Sequence, residues 1–409
     1  MNDKLNLLKR FYLHFHDPAY WQALIRLISV IVILMKMAVC TPPMDFFQFY
    51  NADKLFFHHQ NPYEQPLTGF PYFPWAFLIT SFFSFFNTET ACLLWSLFSL
   101  LLFMASIYLL AQIIFEKECS FILFPKIALA AMLAPCLWSF TYHNLTMVLL
   151  FFIALTVNLI KKHRDSFWIG ATSSFLLLKP QLTLITLILF FFQAPNRRRF
   201  IAGVTAFFAI QFTPFIMGYR PIADLKVMYR NAQYWGTQTY FAEEQSLAAE
   251  LMRYKTKPAA SLSPNTAKLD IMPLFNTIKF AVYIGSILAA LGLFGRRQQI
   301  AILPATSLTL LAGLLLSPYS HLYDGVMLVP LMLLTVHELS KGKDPRGICV
   351  LFLLVNAVLY YVLPLPGIGN LIHWGRVGAC SIIYSLIFAG MWVYSRRLRH
   401  DPLIKPCRP

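Results

Sequence analysis

Three short stretches of this 409-residue chain place reactive side chains where apolar ones would be expected. The first is Thr41-Pro42-Pro43-Met44-Asp45-Phe46-Phe47, where a carboxylate stands among aromatics at the end of an apolar run. Partial desolvation raises a carboxyl pKa and suits it to general-base work, while the same Asp could simply begin a helix. The second is Leu176-Leu177-Leu178-Lys179-Pro180-Gln181, a lone ammonium between apolar segments. Such a cation is costly unless an anion meets it or its stem snorkels to a polar interface. The third is Ser317-Pro318-Tyr319-Ser320-His321-Leu322-Tyr323-Asp324, whose imidazole can bind phosphate or relay a proton and whose Asp324 can also stabilise a turn. His58-His59 read as a wet loop surface rather than a metal site. The seven cysteines are scattered, with no Cys-x-x-Cys pair.

The elements that must position these groups are set by composition. Apolar residues make up 58%, charged residues 13%, and mean hydropathy is +0.59, so the chain reads as all-α and polytopic, with the bilayer as its solvent. Continuous apolar runs exclude a barrel. The net charge of +16 sits in clusters between apolar runs rather than on a soluble face, which argues against nucleic acid. Five clusters, around Lys161, Arg197, Arg296, Lys341 and Arg396, are assigned to the cytoplasm. Spans at 23–40, 91–114, 121–138, 145–160, 200–217, 271–294, 299–316, 325–340, 347–364 and 376–395, with a hairpin at 166–178 and 180–193, satisfy that parity. This gives about twelve helices with both termini inside. The hairpin arms of about thirteen residues reach only about 20 Å against a hydrocarbon core of about 30 Å, which sinks Lys179 below the interface. Residues 70–86 read as a re-entrant or interfacial helix, 41–74 as a first extracytoplasmic loop, and 218–270 as a long, basic outer loop. A single membrane domain covers 1–400, and 401–409 form a cytoplasmic tail.

This topology gathers Asp45, His58, His59, Lys179, Gln245, Tyr319, His321, Tyr323 and Asp324 on one face. No Gly-x-x-x-x-Gly-Lys-[Ser/Thr], His-Glu-x-x-His or Asp-x-Asp is present, so a reaction there needs an activated, membrane-borne donor. Asp45 with Tyr50-Asn51-Ala52-Asp53, Asn61-Pro62-Tyr63 and Phe70-Pro71-Tyr72-Phe73-Pro74 resembles the first outer loop of glycosyltransferase family 87, the polyprenol-phosphate-mannose-dependent group with the GT-C fold. Lys179-Pro180-Gln181, Glu244-Gln245-Ser246-Leu247 with Arg253, and Ser317-Pro318-Tyr319 with Tyr323-Asp324 follow in the family's order, over roughly 40–330. The resemblance implies that Asp45 deprotonates an acceptor hydroxyl. That hydroxyl then attacks the anomeric carbon of a polyprenyl-phosphate hexose with inversion. It further implies that Lys179, His321 and Arg253 stabilise the departing phosphate, with Gln245, Tyr323, Asp324 and Tyr63 toward substrate. Glu244 stands where the family often has Asn.

Besides that lipid-linked co-substrate, no cofactor or metal is indicated, although a divalent cation is compatible. The expected partners are membrane lipids, the polyprenyl-phosphate sugar, and a lipid or glycan acceptor, at a bacterial-type inner membrane. The competing readings are a transporter or lipid flippase without covalent chemistry, and a catalytically silent relative. Transporters keep ionisable groups near the midplane of repeated halves, a pattern this chain lacks. A topology reporter at Arg297 is expected to read cytoplasmic and one at Asp324 extracytoplasmic; an external Arg297 would reverse the side assigned to every candidate residue.

Overall fold

The computed structural model describes residues 18–40, 44–58, 60–63, 76–114, 139–140, 143–211, 226–227, 272–295, 301–317 and 322–340. Among them every regular element is helical. The spans read at 121–138, 347–364 and 376–395 lie outside the described residues. So do the Arg296, Lys341 and Arg396 clusters, the 218–270 loop apart from residues 226–227, and Gln245, Arg253, Tyr319 and His321.

Helix α1 (Pro18–Cys40) is followed by α2 (Met44–Phe57). The loop expected at 41–74 therefore contains a helix. Its cause is a 3.6-residue period: Phe46, Phe49, Tyr50 and Asp53 fall at i, i+3, i+4 and i+7, and all are buried. A short turn, α3 (Phe77–Thr80), runs into a 3-10 turn at Ser81–Phe85. Together these are too short to cross a bilayer. Helix α4 (Thr88–Ile114) has 27 residues and is the one described helix long and apolar enough to span a membrane.

The second half of the described core is a run of shorter helices. These are α5 (Thr146–Lys161), α6 (Ser166–Ser173, continued as a 3-10 turn to Leu178), α7 (Pro180–Gln193) and α8 (Arg197–Gln211). After them come α9 (Met272–Gly295), α10 (Ile302–Leu316), a 3-10 turn at Leu322–Leu328, and α11 (Val329–Ser340). Helix α5 packs along α4, α8 along α6, and α7 between α9 and α10. The helices are apolar nearly all round. Their inner faces bury Trp95, Phe103, Ile107, Leu149, Ile153, Leu182 and Leu189, while Ile25, Val32, Leu101, Ile284 and Leu288 point outward.

Small residues set the closest approaches. A Cβ at Gly170 would collide with the Phe200 carbonyl, and one at Gly203 with the Phe167 carbonyl, so α6 and α8 cross backbone to backbone. Gly313 on α10 does the same for α7, since a Cβ there would strike the Leu182 carbonyl. Nearby, Thr186 Oγ1 donates to Thr309 Oγ1 at 3.0 Å and joins the same two helices. Replacing Gly313 with Val is expected to cost about 1–3 kcal/mol by forcing α7 and α10 apart. Thermal unfolding in detergent micelles measures it, and an unshifted midpoint would show that the two backbones are not in this contact.

Candidate functional site

Lys179 occupies the joint between two helices because Pro180 follows it. Proline pushes the preceding residue out of helical geometry and is itself well placed at a helix start. Lys179 accordingly takes φ −135° and ψ 70°, and α7 begins at Pro180. The joint is fastened by its neighbours: Thr183 Oγ1 donates to the carbonyls of Leu176 and Lys179, and Tyr283 Oη donates to the Pro180 carbonyl at 2.6 Å.

The lysine does not snorkel. Its side chain is buried, and Nζ lies 2.7 Å from Asp324 Oδ1, with both side chains at most 4% exposed. Thr146 Oγ1 donates to the same carboxylate oxygen at 2.9 Å and lies 3.4 Å from Lys179 Nζ. The anion that meets the ammonium is thus a residue of the chain itself. Sequence reading assigned Lys179 to phosphate and Asp324 to substrate or a turn; the fold makes them one ion pair. Tyr323 lies beside Asp324 in the same 3-10 turn.

This pair and the Lys161 cluster occupy opposite ends of α5. Thr146 begins that helix and Lys161 ends it, about 24 Å apart. At the Lys161 end, Asp165 caps α6 by accepting from the Phe167 amide and pairs with Arg199 at 2.6 Å. The Lys161 and Arg197 clusters are therefore neighbours, remote from Lys179.

Asp45 lies in the first turn of α2 and is half-buried. An aromatic face fixes that helix: Phe46 stacks on Tyr50 at 5.7 Å, Phe49 meets Trp95 at 6.2 Å, and Phe56 stacks on Phe77 at 5.4 Å. Tyr50 Oη donates to the Phe86 carbonyl at 2.8 Å. Two turns further on, Asp53 is completely buried, accepting from Thr80 Oγ1 at 3.2 Å. Burial pushes its carboxyl well above the usual carboxylate range, with the Thr80 bond acting in the opposite direction. Of the two acids on α2, Asp45 is the less buried, although its Oδ2 is enclosed by the protein. Tyr63 is buried in the apolar core, with its amide donating to Asn61 Oδ1 at 2.9 Å. His58 is exposed at the end of α2, and His59 lies outside the described residues.

Sequence reading missed the residues that lie between these groups. His143 and Asn144 are buried just ahead of α5, and His143 has a positive φ of 53°. Asn144 Oδ1 accepts from the Thr146 amide at 2.8 Å and from Ser139 Oγ at 3.3 Å, which shapes the start of the helix. The signal was available: a His-Asn pair two residues before a Thr that opens an apolar run, in the short outer loop that parity places between 121–138 and 145–160.

The family model described as glycosyltransferase family 87 matches residues 70–318, more than half of the chain. The matched stretch contains His143, Thr146, Lys179, Gln245 and Arg253; Asp45 precedes it and Asp324 follows it by a few residues. No curated protein and no solved structure gives a significant match.

Breaking a buried ion pair from one side leaves an uncompensated charge, whereas replacing both partners with apolar groups is often nearly neutral. Asp324→Ala is expected to lower stability by about 3–5 kcal/mol, and Lys179→Met with Asp324→Leu to recover most of it. Thermal unfolding of the single and double variants reads the difference, and equal losses in both would remove the pair from the account of the core.

Proposed function

The chain belongs to glycosyltransferase family 87 and is a glycosyltransferase, and from that premise we propose that it moves a hexose, most simply mannose, from a polyprenyl-phosphate donor to a lipid or glycan hydroxyl. The observation that supports this reading is a half-buried Asp45, on a helix whose aromatic face meets His143, beside the turn that leads to the buried Lys179–Asp324 pair. Asp45 takes the proton of the acceptor hydroxyl. The acceptor oxygen attacks the anomeric carbon on the face opposite the phosphate, and the bond from that carbon to the phosphate oxygen breaks with its electron pair. The configuration inverts, and the products are the glycoside and a polyprenyl phosphate.

The leaving phosphate gains negative charge as the bond breaks, so cations placed beforehand lower the barrier. Lys179 serves there while sharing its ammonium with Asp324. Because that pair is neutral as a whole, His321 and Arg253 supply the remaining positive charge. Gln245 and Tyr323 orient the hexose. The outward apolar faces of α1, α4 and α9 support a lipid-facing surface. The separation of Lys179 from the Lys161 and Arg197 clusters supports an extracytoplasmic site with both termini inside. In this reading the chain crosses a bacterial-type inner membrane about twelve times.

Asp45→Asn keeps the shape of the side chain and removes its basicity. Assayed with polyprenyl-phosphate mannose and a membrane acceptor, it is expected to lose at least about a hundredfold in turnover with an unchanged melting profile. Normal transfer by that variant would rule out Asp45 as the base.

A further inference from the structure

A single turn of backbone joins the two halves of the site. At its far end Thr146 bonds to Asp324 and lies beside Lys179. At its near end His143 is held on three sides. Its amide donates to the Ser139 carbonyl at 3.0 Å, and its carbonyl accepts from Trp95 Nε1 at 2.9 Å. Its ring nitrogen Nε2 lies 2.6 Å from Ser96 Oγ and 3.6 Å from Cys92 Sγ. Ser96 Oγ also bonds to the Cys92 carbonyl at 2.8 Å, which holds the hydroxyl in place on α4.

The same ring packs edge-on against Phe46 at 6.2 Å, and Phe46 directly follows Asp45. Helix α2 has a second anchor on α4 through Phe49 and Trp95, the residue that also grips the His143 carbonyl. A turn with φ 53° is met at low cost by Asn or Gly. Histidine there adds what those residues lack: a ring long enough to touch Ser96 on α4 and Phe46 on α2 at once.

We propose that His143 is a positioning residue for Asp45, its imidazole anchored to Ser96 and braced against Phe46, so that the carboxylate stands at a fixed separation from the Lys179–Asp324 pair. The proposal rests on Asp45 being the base of the transfer reaction. The His143-to-Thr146 turn then acts as a spacer between proton removal and phosphate departure. Loosening it slows chemistry without weakening donor binding.

The test uses the full chain in detergent or vesicles, with three variants and two readouts. His143→Asn satisfies the backbone turn but cannot reach Ser96. It is expected to melt at or above the wild-type temperature, lose about tenfold or more in kcat, and leave the donor KM within about twofold. His143→Gln, which places an amide N–H near the Nε2 position, should recover much of that loss. Ser96→Ala removes the hydroxyl partner of the ring without touching the turn and should lower kcat in the same direction. The second readout needs no turnover: carbodiimide labelling of Asp45, quantified by mass spectrometry against the exposed Asp165, should change severalfold in His143→Asn and in Ser96→Ala. Wild-type kcat and labelling in His143→Asn would overturn the proposal, as would unaltered labelling in Ser96→Ala should the His143 variants not fold. A wild-type chain that transfers no hexose from the polyprenyl-phosphate donor, yet shows the labelling contrast, would overturn the donor assignment and leave the positioning role standing.

Discussion

Taking an ammonium and a carboxylate out of water costs several kcal/mol for each ion, and only close contact with full hydrogen bonding recovers it. Lys179 and Asp324 meet that condition at 2.7 Å with Thr146 completing the contact. Much of the surrounding architecture keeps them together. Pro180 halts the helix so that Lys179 projects at its end, Tyr283 pins the joint, and Gly313 lets α10 approach near enough for the chain beyond it to deliver Asp324. Thr146 is there because Asn144 opens α5 at that point. A displacement of any of these helices would expose an uncompensated charge to an apolar interior, so the pair fixes the relative placement of four segments.

Around this charged centre the chemistry is graded by water access. Asp53 lies in a dry aromatic pocket, and its burial favours the neutral acid. Asp45, two turns earlier on the same helix, is only half-buried. One helix thus carries a completely buried acid and a half-buried one. The division follows from position along the helix: Asp53 falls on the stripe of Phe46, Phe49 and Tyr50, facing Thr80.

Local rules were the part most legible in the sequence. The break at Lys179 follows from Pro180, and the apolar helices from their runs of Leu, Phe and Ile. The helix at Met44–Phe57 was readable in the spacing of Phe46, Phe49 and Tyr50, yet its short length and its place between spans favoured a loop reading. A candidate anion site at Lys179 was legible from its cost alone. Its partner was not, because 145 residues separate Lys179 from Asp324 and no pattern in either stretch points to the other. His143 escaped notice for a related reason: a lone histidine in a short polar joint gains meaning only when Ser96 and Phe46, from two other helices, converge on it.

That separation also sets an order of events during synthesis. Helices α6, α7 and α8 are consecutive, and α6 and α8 meet through Gly170 and Gly203, so this unit can close as soon as it is made. Asp324 emerges 145 residues after Lys179, a delay of roughly 7–30 s at ordinary elongation rates of 5–20 residues per second. Throughout that interval the nascent chain holds a cation whose eventual partner has not yet been translated. Water or another polar group must solvate it until then. Forming the Lys179–Asp324 pair is therefore a late event, in which a residue of the chain replaces whatever solvated the ammonium before.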